Sequence, residues 1–538
     1  MATHPFNHSQ GILFGGYRNA GDLVRVNAEV LGRQTAVIFG DVRLSWREFN
    51  ARVNRCANAL RKLGIQRGDR VALFARNSHQ WVEALFGLNK LGALAVTVNY
   101  RLAAPEVEYI IANAGACAIV CGAPEAETAR TVAHQVKEIS WRIGINDATG
   151  TGIESYEALI ADAEESELSH ERPFAFDEPA LLLYTSGTTG FPKGAVYTHG
   201  SLLVGMYVHA YAIGSHRTHR VMLPSPLYSA AGIAGIYCAV IAGSQLALIN
   251  FDAQLALQTL AHERITFTNF VPTTIQMLLA RKDFDSYDLS SLEVLLYGGS
   301  PIPEPVLRDA MKRLPNCGFR QTFAATETGC SGTVLEPREH RAALDDASLR
   351  HRLLSCGRPQ LAVEVDIFDT DGSPLPPDEI GEIGVRTEAN MRGYWNNPEA
   401  TAQAMRNGWV FTGDMARKDE DGYIYLVDRK NDLIVTGALN VYPSEVERVI
   451  QTHPAVYECV VIGVPSEQWG EAVKAIVVLR EGMALTESEL IAYCEGKIAG
   501  FKKPKSVNFV DKLPRNLTGK VLRRELREVY WQNATRKI

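Results

Sequence analysis

Leu181-Leu182-Leu183-Tyr184-Thr185-Ser186-Gly187-Thr188-Thr189-Gly190-Phe191-Pro192-Lys193-Gly194 is the stretch from which the rest of the chain is read. An apolar strand end, residues 181–184, runs into hydroxyls and glycines and then a lysine. Gly187 and Gly190 can take positive φ and let backbone N–H groups face an anion. Thr185, Ser186, Thr188 and Thr189 add neutral donors, and Lys193 adds a charge suited to outer phosphates. The Walker A pattern G-x-x-x-x-G-K-[ST] is not met, because Pro192 stands five residues beyond Gly187 and Gly194 follows the lysine.

Around this loop, helix-like segments alternate with short apolar runs such as 93–98 and 116–121. Residues 35–45 and 69–75 read as strands around a helix carrying Phe49, Val53, Ala57, Leu60 and Leu63. Alternation of this kind predicts an α/β fold containing parallel sheet. Residues 122–178, rich in Ala, Glu and Thr, read as a surface excursion. The clearest boundary lies at Asp428-Arg429-Lys430-Asn431-Asp432, after a polar, turn-rich stretch. Beyond it, Pro443 sits at a predicted first helical position, 456–464 and 472–479 read as strands, and Thr486-x-x-Glu489 reads as a capping box. The parse is a large body over 1–428, a hinge at 429–433 and a small lid domain over 434–538.

The 538 residues are long enough for several domains, and the composition is that of a globular chain at 46% hydrophobic and 22% charged. Lys+Arg total 55 against 61 Asp+Glu, a net charge of −6 that gives no basic surplus for nucleic acid. Nine scattered cysteines without a C-x-x-C pair argue against disulfides or structural zinc and fit a reducing cytoplasm. No secretory signal opens the chain. Residues 221–251 contain no Asp, Glu, Lys or Arg, yet their prolines and glycines read as a buried turn and core helix rather than a membrane span.

Further motifs follow the loop in order: Tyr297-Gly-Gly-Ser-Pro301, Gln321-Thr-Phe-Ala-Ala-Thr-Glu327, Gly393-Tyr-Trp-Asn-Asn-Pro-Glu-Ala-Thr401, Trp409-Val-Phe-Thr-Gly-Asp414, the 428–432 stretch and Pro514-Arg-Asn-Leu-Thr-Gly-Lys520. Together the chain resembles the adenylate-forming superfamily of acyl-CoA synthetases, aryl-CoA ligases, luciferases and amino-acid adenylation domains, most closely the fatty-acid and aryl-acid CoA ligases. The resemblance implies a multi-subdomain N-terminal body of layered α/β sheets with a β-barrel-like subdomain, and a mobile α+β lid. It implies ATP, Mg²⁺ and coenzyme A as the groups used, and a small carboxylic acid as substrate. A homodimer comes by analogy alone.

The implied reaction lets a carboxylate attack the α-phosphate of ATP. Two anions must meet, so catalysis is mostly positioning and charge neutralisation. By resemblance Lys520 bridges the carboxylate and the α-phosphate, and Thr188 and Lys193 hold the outer phosphates together with the rest of the loop. Glu327 holds Mg²⁺. Gly298, Gly299 and Ser300 allow close approach to adenine, with Phe323, Ala324 and Thr326 beside it. Asp414 accepts from the ribose hydroxyls and Arg429 supports ribose or phosphate. Asn431 is the hinge, and Gly437 opens the pantetheine channel. Three departures stand out: Phe323-Ala324 where the family has Tyr-Gly, Asn431 where Asp or Lys is common, and Gly437-Ala438 in place of a glycine pair.

The implied acyl pocket starts after Pro226, with Tyr228, Ser229, Ala231 and Gly235. Ser229 stands where CoA ligases often carry His. Small side chains there leave room for a medium- or long-chain fatty acid or an arylalkanoic acid; the alternative is tight packing of the apolar helix. No Asp lies near Ser229 to hold an α-ammonium, which argues against an amino acid. The chain runs only to Ile538 beyond Lys520, so a free thiol such as coenzyme A is expected as acceptor. A separate carrier protein is the nearest alternative. A non-catalytic nucleotide-binding protein would be signalled by loss of Lys520, Glu327 or Asp414, and all three are present.

Overall fold

A computed structural model describes residues 17, 19–185, 191–300, 302–429, 432–436, 439–466, 468–515 and 521–532, without the side chains of Arg429 and Asn440. The chain forms two compact units. One runs through Val365 and includes Val385–Val410; the other comprises Asp366–Gly384 and Phe411 onward.

In the first unit, among the described residues, one sheet has nine strands and another seven. Strand Thr35–Phe39 pairs parallel with Gln245–Leu248 in the nine-stranded sheet, whereas Arg70–Phe74 pairs parallel with Leu94–Thr97 and Ala118–Cys121 in the other. Successive side chains of a strand point to opposite faces. Val37, Leu223 and Leu246 therefore enter one core with Val71, Leu73 and Ala95, while Ile38, Met222 and Ala247 enter a second, and Ala72, Phe74 and Val96 a third. Helices Trp46–Lys62, His79–Leu91, His199–Ala212 and Ala230–Ala242 fill the shared middle core; Ala104–Ala114 with Ala126–Gln135, and Ala253–His262 with Glu304–Arg313, cover the outer faces. The result is a five-layer α/β/α/β/α stack.

Local sequence explains these elements. Ser45 opens helix Trp46–Lys62 through a reciprocal capping box, its N–H donating to Glu48 Oε2 at 2.8 Å. Helix His79–Leu91 is buried along its whole length and ends at Gly92, whose φ of +82° suits glycine. The uncharged stretch becomes strand Arg220–Leu223, helix Ala230–Ala242 and strand Gln245–Leu248. Among the described residues, no helix is long and apolar enough to cross a membrane.

The surface excursion expected at 122–178 is corrected. Strand Trp141–Gly144 pairs parallel with Ala118–Cys121, and Ala129, Val132, Ile143, Tyr156 and Ile160 are buried. These anchors are spaced too widely and interrupted too often by polar residues to show as a periodic pattern.

In the second unit, helix Pro443–Gln451 starts at Pro443 as expected, and Thr486 caps helix Glu487–Tyr493 with Glu489 returning the bond. Strands Val456–Ser466 and Gly470–Leu479 pair antiparallel, and Ser506–Phe509 adds parallel to the latter. Strands Trp409–Lys418 and Ile424–Arg429 belong to a small five-stranded sheet and place Asp414 opposite Arg429.

Candidate functional site

Strand Pro179–Thr185 returns antiparallel as Lys193–Thr198, with Thr185 opposite Lys193, so residues 186–192 form the connection at one end of a hairpin. Leu181, Leu182 and Leu183 are buried and fix the strand in the core. Tyr184 Oη donates to Asn113 Oδ1 at 2.6 Å, and the Tyr184 ring occupies the space a side chain at Gly194 would need. Phe191 stacks on Tyr109 at 4.6 Å between centroids. The expected phosphate ligands Ser186, Gly187, Thr188, Thr189 and Gly190 lie outside the described residues.

A second segment fastens to this hairpin. Arg392 N–H donates to Val196 O at 2.9 Å, Val196 N–H to Gly393 O at 2.9 Å and Trp395 N–H to Gly194 O at 2.7 Å. The same segment reaches the Ala-Thr-Glu motif, because Met391 N–H donates to Glu327 O at 2.9 Å. Tyr394 then joins the two charged groups. Its hydroxyl donates to Glu327 Oε1 at 2.7 Å, and Lys193 Nζ lies 5.3 Å from its ring centroid. Burial, with Glu327 adjacent, pushes the Tyr394 phenol well above its usual range, so it stays a donor. Tyr394 lies within the 393–401 motif, but its place beside Glu327 follows only from the pairing above and is not legible in the sequence.

Glu327 sits on the short 3-10 turn Thr326–Thr328. Thr326 O accepts Tyr197 Oη at 2.5 Å, and Thr328 Oγ1 donates to Ser331 O at 2.6 Å. Gly329 and Cys330 both take positive φ, +63° and +59°. For Cys330 that conformation is costly and must be held by its surroundings. Its thiol donates to Ala230 O at 3.4 Å, tying the turn to the first residue of helix Ala230–Ala242.

Strands Val294–Gly298 and Gly318–Ala324 are parallel neighbours with Gly298 opposite Thr322. Their carboxyl ends bring Gly298, Gly299 and Ser300 beside Phe323, Ala324 and Thr326, the usual place for a ligand in an open α/β sheet. A Cβ at Gly298 would collide with Thr322 O, and Gly299 has φ +79°. Ser300 and Ala324 are exposed and Phe323 half-buried. His340 lies beneath. Burial pushes its imidazole down to about 4, so it is neutral; Nδ1–H donates to Glu336 O at 2.9 Å and Nε2 accepts Tyr297 Oη at 2.8 Å. This fixes the strand residue before the glycine pair.

In the expected acyl pocket, Ser229 acts as an N-cap. Its Oγ accepts Gly232 N–H at 3.1 Å and donates to Pro226 O at 2.7 Å. Leu223 Cδ1 fills the space beside Gly235, Ala231 is exposed, and Tyr228 is 7% exposed with its ring edge-on to Tyr100 at 5.4 Å. Among the described residues, the Tyr228 hydroxyl is buried with no hydrogen-bond partner.

Asp414 belongs to the second unit. It is 9% exposed, and its N–H donates to Thr412 Oγ1 at 3.2 Å. Arg429 is placed by its backbone only. Asn431, Gly437 and Lys520 lie outside the described residues. Among the described residues, no cluster of three or more His, Cys, Asp or Glu could enclose a metal ion. A single carboxylate such as Glu327 does fit Mg²⁺, which is commonly held by one or two carboxylates with substrate phosphates and water completing the shell.

Strands Pro179–Thr185 and Lys193–Thr198 paired antiparallel, Lys193 and Glu327 both placed against Tyr394, and the ends of strands Val294–Gly298 and Gly318–Ala324 side by side make up the candidate site. The chain belongs to the AMP-binding enzyme family, matching it over residues 24–395, and matches the AMP-binding enzyme C-terminal domain over 445–520. It is 37% identical to a feruloyl-CoA synthase of Amycolatopsis sp, covering 92% of this chain and 95% of the relative. It is 34% identical to a fatty acid–[acyl-carrier-protein] ligase, ScoC, of Streptomyces coeruleorubidus, over 94% and 95%. A solved Mycobacterium tuberculosis fatty acyl CoA synthetase superposes with TM-score 0.77 at 34% identity, covering 95% of this chain and 98% of that one. With these relatives, the chain is an ATP-dependent acid ligase of the adenylate-forming acyl-CoA ligase family.

Proposed function

We propose that the acid is a monocarboxylic acid with a large apolar body, a medium- or long-chain fatty acid or an arylalkanoic acid. The relatives span a feruloyl and two fatty-acyl activities. The uncharged 221–251 segment supports the reading, since a cation there would suit a second carboxylate. Coenzyme A is the acceptor in this reading; the likeness to a carrier-protein ligase keeps a tethered thiol as the second reading.

The observation that carries the mechanism is the Lys193–Tyr394–Glu327 connection. Lys193 and the 186–190 loop bind the outer phosphates. Tyr394 keeps the Lys193 cation and the Glu327 carboxylate at a fixed spacing, so neither collapses onto the other before ATP arrives. Glu327 would hold Mg²⁺, which supplies charge neutralisation at the phosphate oxygens when bound. Gly298, Gly299 and Ser300 face adenine with Phe323, and Asp414 and Arg429 take the ribose. Lys520 neutralises the charge that builds between the attacking carboxylate and the α-phosphate. The new bond joins a carboxylate oxygen to the α-phosphorus, and pyrophosphate leaves. In the second half-reaction the thiol attacks the acyl carbon and AMP leaves. The change between the two is a rotation about Asn431, which withdraws Lys520 and presents Gly437 to the pantetheine arm.

The test is a panel of carboxylic acids from acetate to C18 and aryl acids, each with ATP and either coenzyme A or a phosphopantetheinyl carrier. Pyrophosphate release and thioester mass are scored. AMP and thioester with long-chain or arylalkanoic acids and coenzyme A are expected. Turnover confined to acetate, or thioester formed on the carrier alone, would overturn the reading.

A further inference from the structure

Three asparagines gather at the turn that follows strand Arg220–Leu223, and among the described residues only two of them are bonded at both ends of the amide. Asn77, buried, donates from Nδ2 to Ser225 O at 3.0 Å and to Ile249 O at 2.8 Å, and its Oδ1 accepts Leu227 N–H at 2.9 Å. Asn250 accepts Asn77 N–H on Oδ1 at 3.1 Å and donates from Nδ2 to Asn77 O at 3.1 Å. Asn269 differs. Its Nδ2 donates to Ser225 Oγ at 3.3 Å, whereas its Oδ1 is buried and, among the described residues, has no hydrogen-bond partner. A buried acceptor left open is costly, and the two neighbours show that this turn can bond an amide at both ends.

Asn269 also stands where a strand buried on both faces favours an apolar residue. Strand Phe267–Phe270 lies between Arg220–Leu223 and Val294–Gly298 and runs parallel to both. Phe267 enters the shared middle core and Phe270 an outer one, so alternation puts Asn269 on the middle face with Phe267. Leu296, its register partner on Val294–Gly298, belongs to that middle core. Helix Ala230–Ala242 packs in the same core; it is capped by Ser229, and its second residue, Ala231, is exposed. The Asn269 amide therefore lies near the carboxyl end of its strand, on the face of the sheet where the acyl pocket is expected.

An open carbonyl oxygen in such a setting selects a neutral donor. An ammonium would need a counter-charge, and residues 221–251 supply none. A hydroxyl carries one donor and is taken out of water at far lower cost. We propose that Asn269 is a specificity-determining residue whose Oδ1 accepts a hydrogen bond from a hydroxyl on the body of the acid, so that the preferred substrate is a hydroxylated acid, aromatic or aliphatic. The inference rests on the reading of the acid given above and narrows it. An acid without the hydroxyl leaves Oδ1 unbonded in the complex, and a site built to bond a substrate hydroxyl discriminates against the analogue that lacks it.

The experiment uses the full chain and reads kcat/KM by ATP–pyrophosphate exchange, which needs no thiol. Two sets of matched acids are compared: phenylpropanoic acid with its meta- and para-hydroxyphenyl counterparts, and dodecanoic acid with ω-hydroxydodecanoic acid. The wild-type enzyme is expected to prefer a hydroxylated member of one set by about tenfold or more, and the set concerned tells an aromatic from an aliphatic source. N269L puts an apolar side chain of similar size in place of the amide and is expected to bring that ratio to within about threefold of unity, slowing the hydroxylated acid more than the plain one. N269A serves if N269L does not fold, and the same loss of preference is expected. Equal use of plain and hydroxylated acids by the wild-type enzyme, a preference for the plain acids, or a hydroxyl preference that survives in the variants would overturn the proposal. The two readings stay apart: if the wild-type enzyme turns over no acid of either set, the large apolar acid falls as well, and if it uses plain and hydroxylated acids alike, only this proposal falls.

Discussion

The hairpin that carries Lys193 and the cluster around Arg523 position charged groups in opposite ways. Around Lys193 the main chain holds: segment 391–395 is bonded to strand Lys193–Thr198 and to Glu327 through backbone N–H and carbonyl groups. Around Arg523 the holding is by side chains, one guanidinium among Asp428, Asp432 and Glu447. A backbone ladder survives most side-chain changes and allows one geometry. A set of buried ion pairs depends on each member, because losing one leaves the others uncompensated. The first fixes Lys193 and Glu327 through the main chain, and the second depends on every side chain in the set.

The widest test of this contrast is Lys520→Ala. The role proposed for Lys520 predicts a loss of adenylation of roughly a thousandfold, by analogy with removing a group aimed at developing charge. Thioester formation from acyl-AMP should persist, and equal loss in both assays would overturn that role.

Acid should act first on the backbone-held unit. Burial pushes His199 down to about 3 and His209 and His340 down to about 4. An unfolded histidine titrates near ~6.5, so below that pH the unfolded chain takes up protons that the fold refuses. Stability is fully present above ~6.5 and falls as pH drops toward about 4. These three histidines together imply a loss of roughly 3 kcal/mol between pH 6 and pH 5. Urea unfolding followed by tryptophan fluorescence at pH 7, 6 and 5 checks this; a midpoint independent of pH would refute it.

Gly329→Ala attacks the turn that holds Glu327. Its φ is +63°, and a Cβ there would run into the carbonyl of Ala389. A stability loss of about 2 kcal/mol is expected in thermal or denaturant unfolding, together with slower adenylation. Wild-type stability in this variant would show that the turn relaxes freely.

The smallest effect is expected from Tyr394→Phe. The ring beside Lys193 remains and one hydrogen bond to Glu327 is lost, worth about 1 kcal/mol, or about fivefold in adenylation. The effect should fall on ATP-dependent adenylation and leave thioester formation from acyl-AMP unchanged. A loss in both would make Tyr394 a general prop rather than a spacer between two charges.

Much of the fold was legible because its cues are local. Pro443 opening a helix, the Thr486–Glu489 capping box and the uncharged 221–251 segment folding as strand, core helix and strand all depend on neighbours in sequence. The partition of strands between sheets was not. Thr35–Phe39 finds its partner some 210 residues away in Gln245–Leu248, and nothing in either run names the other. Residues 122–178 were read as peripheral for the same reason, since the burial of Ile143 and Tyr156 comes from neighbours that the sheet supplies. Ser229 is expected at the acyl pocket by its place in the order of motifs, and the structure adds that its hydroxyl caps a helix, donating to Pro226 O and accepting Gly232 N–H. Tyr394 and His340 went unassigned because each acts through a partner distant in sequence, Glu327 for the one and Tyr297 for the other.

By itself, then, the order of residues determined the chemistry that is available: the loop from Thr185 to Lys193, the Ala-Thr-Glu at 325–327 and the lysine at 520 are set by composition at fixed spacing. Tertiary structure alone decided how those groups are held. Lys193 and Glu327 both meet Tyr394 only once residues 391–395 have paired with the hairpin. Asp428 and Asp432 share one nitrogen of Arg523, a residue 91 positions beyond Asp432. Local preferences act over a few residues, whereas these contacts exist only once the cores have closed and brought distant segments within hydrogen-bond reach.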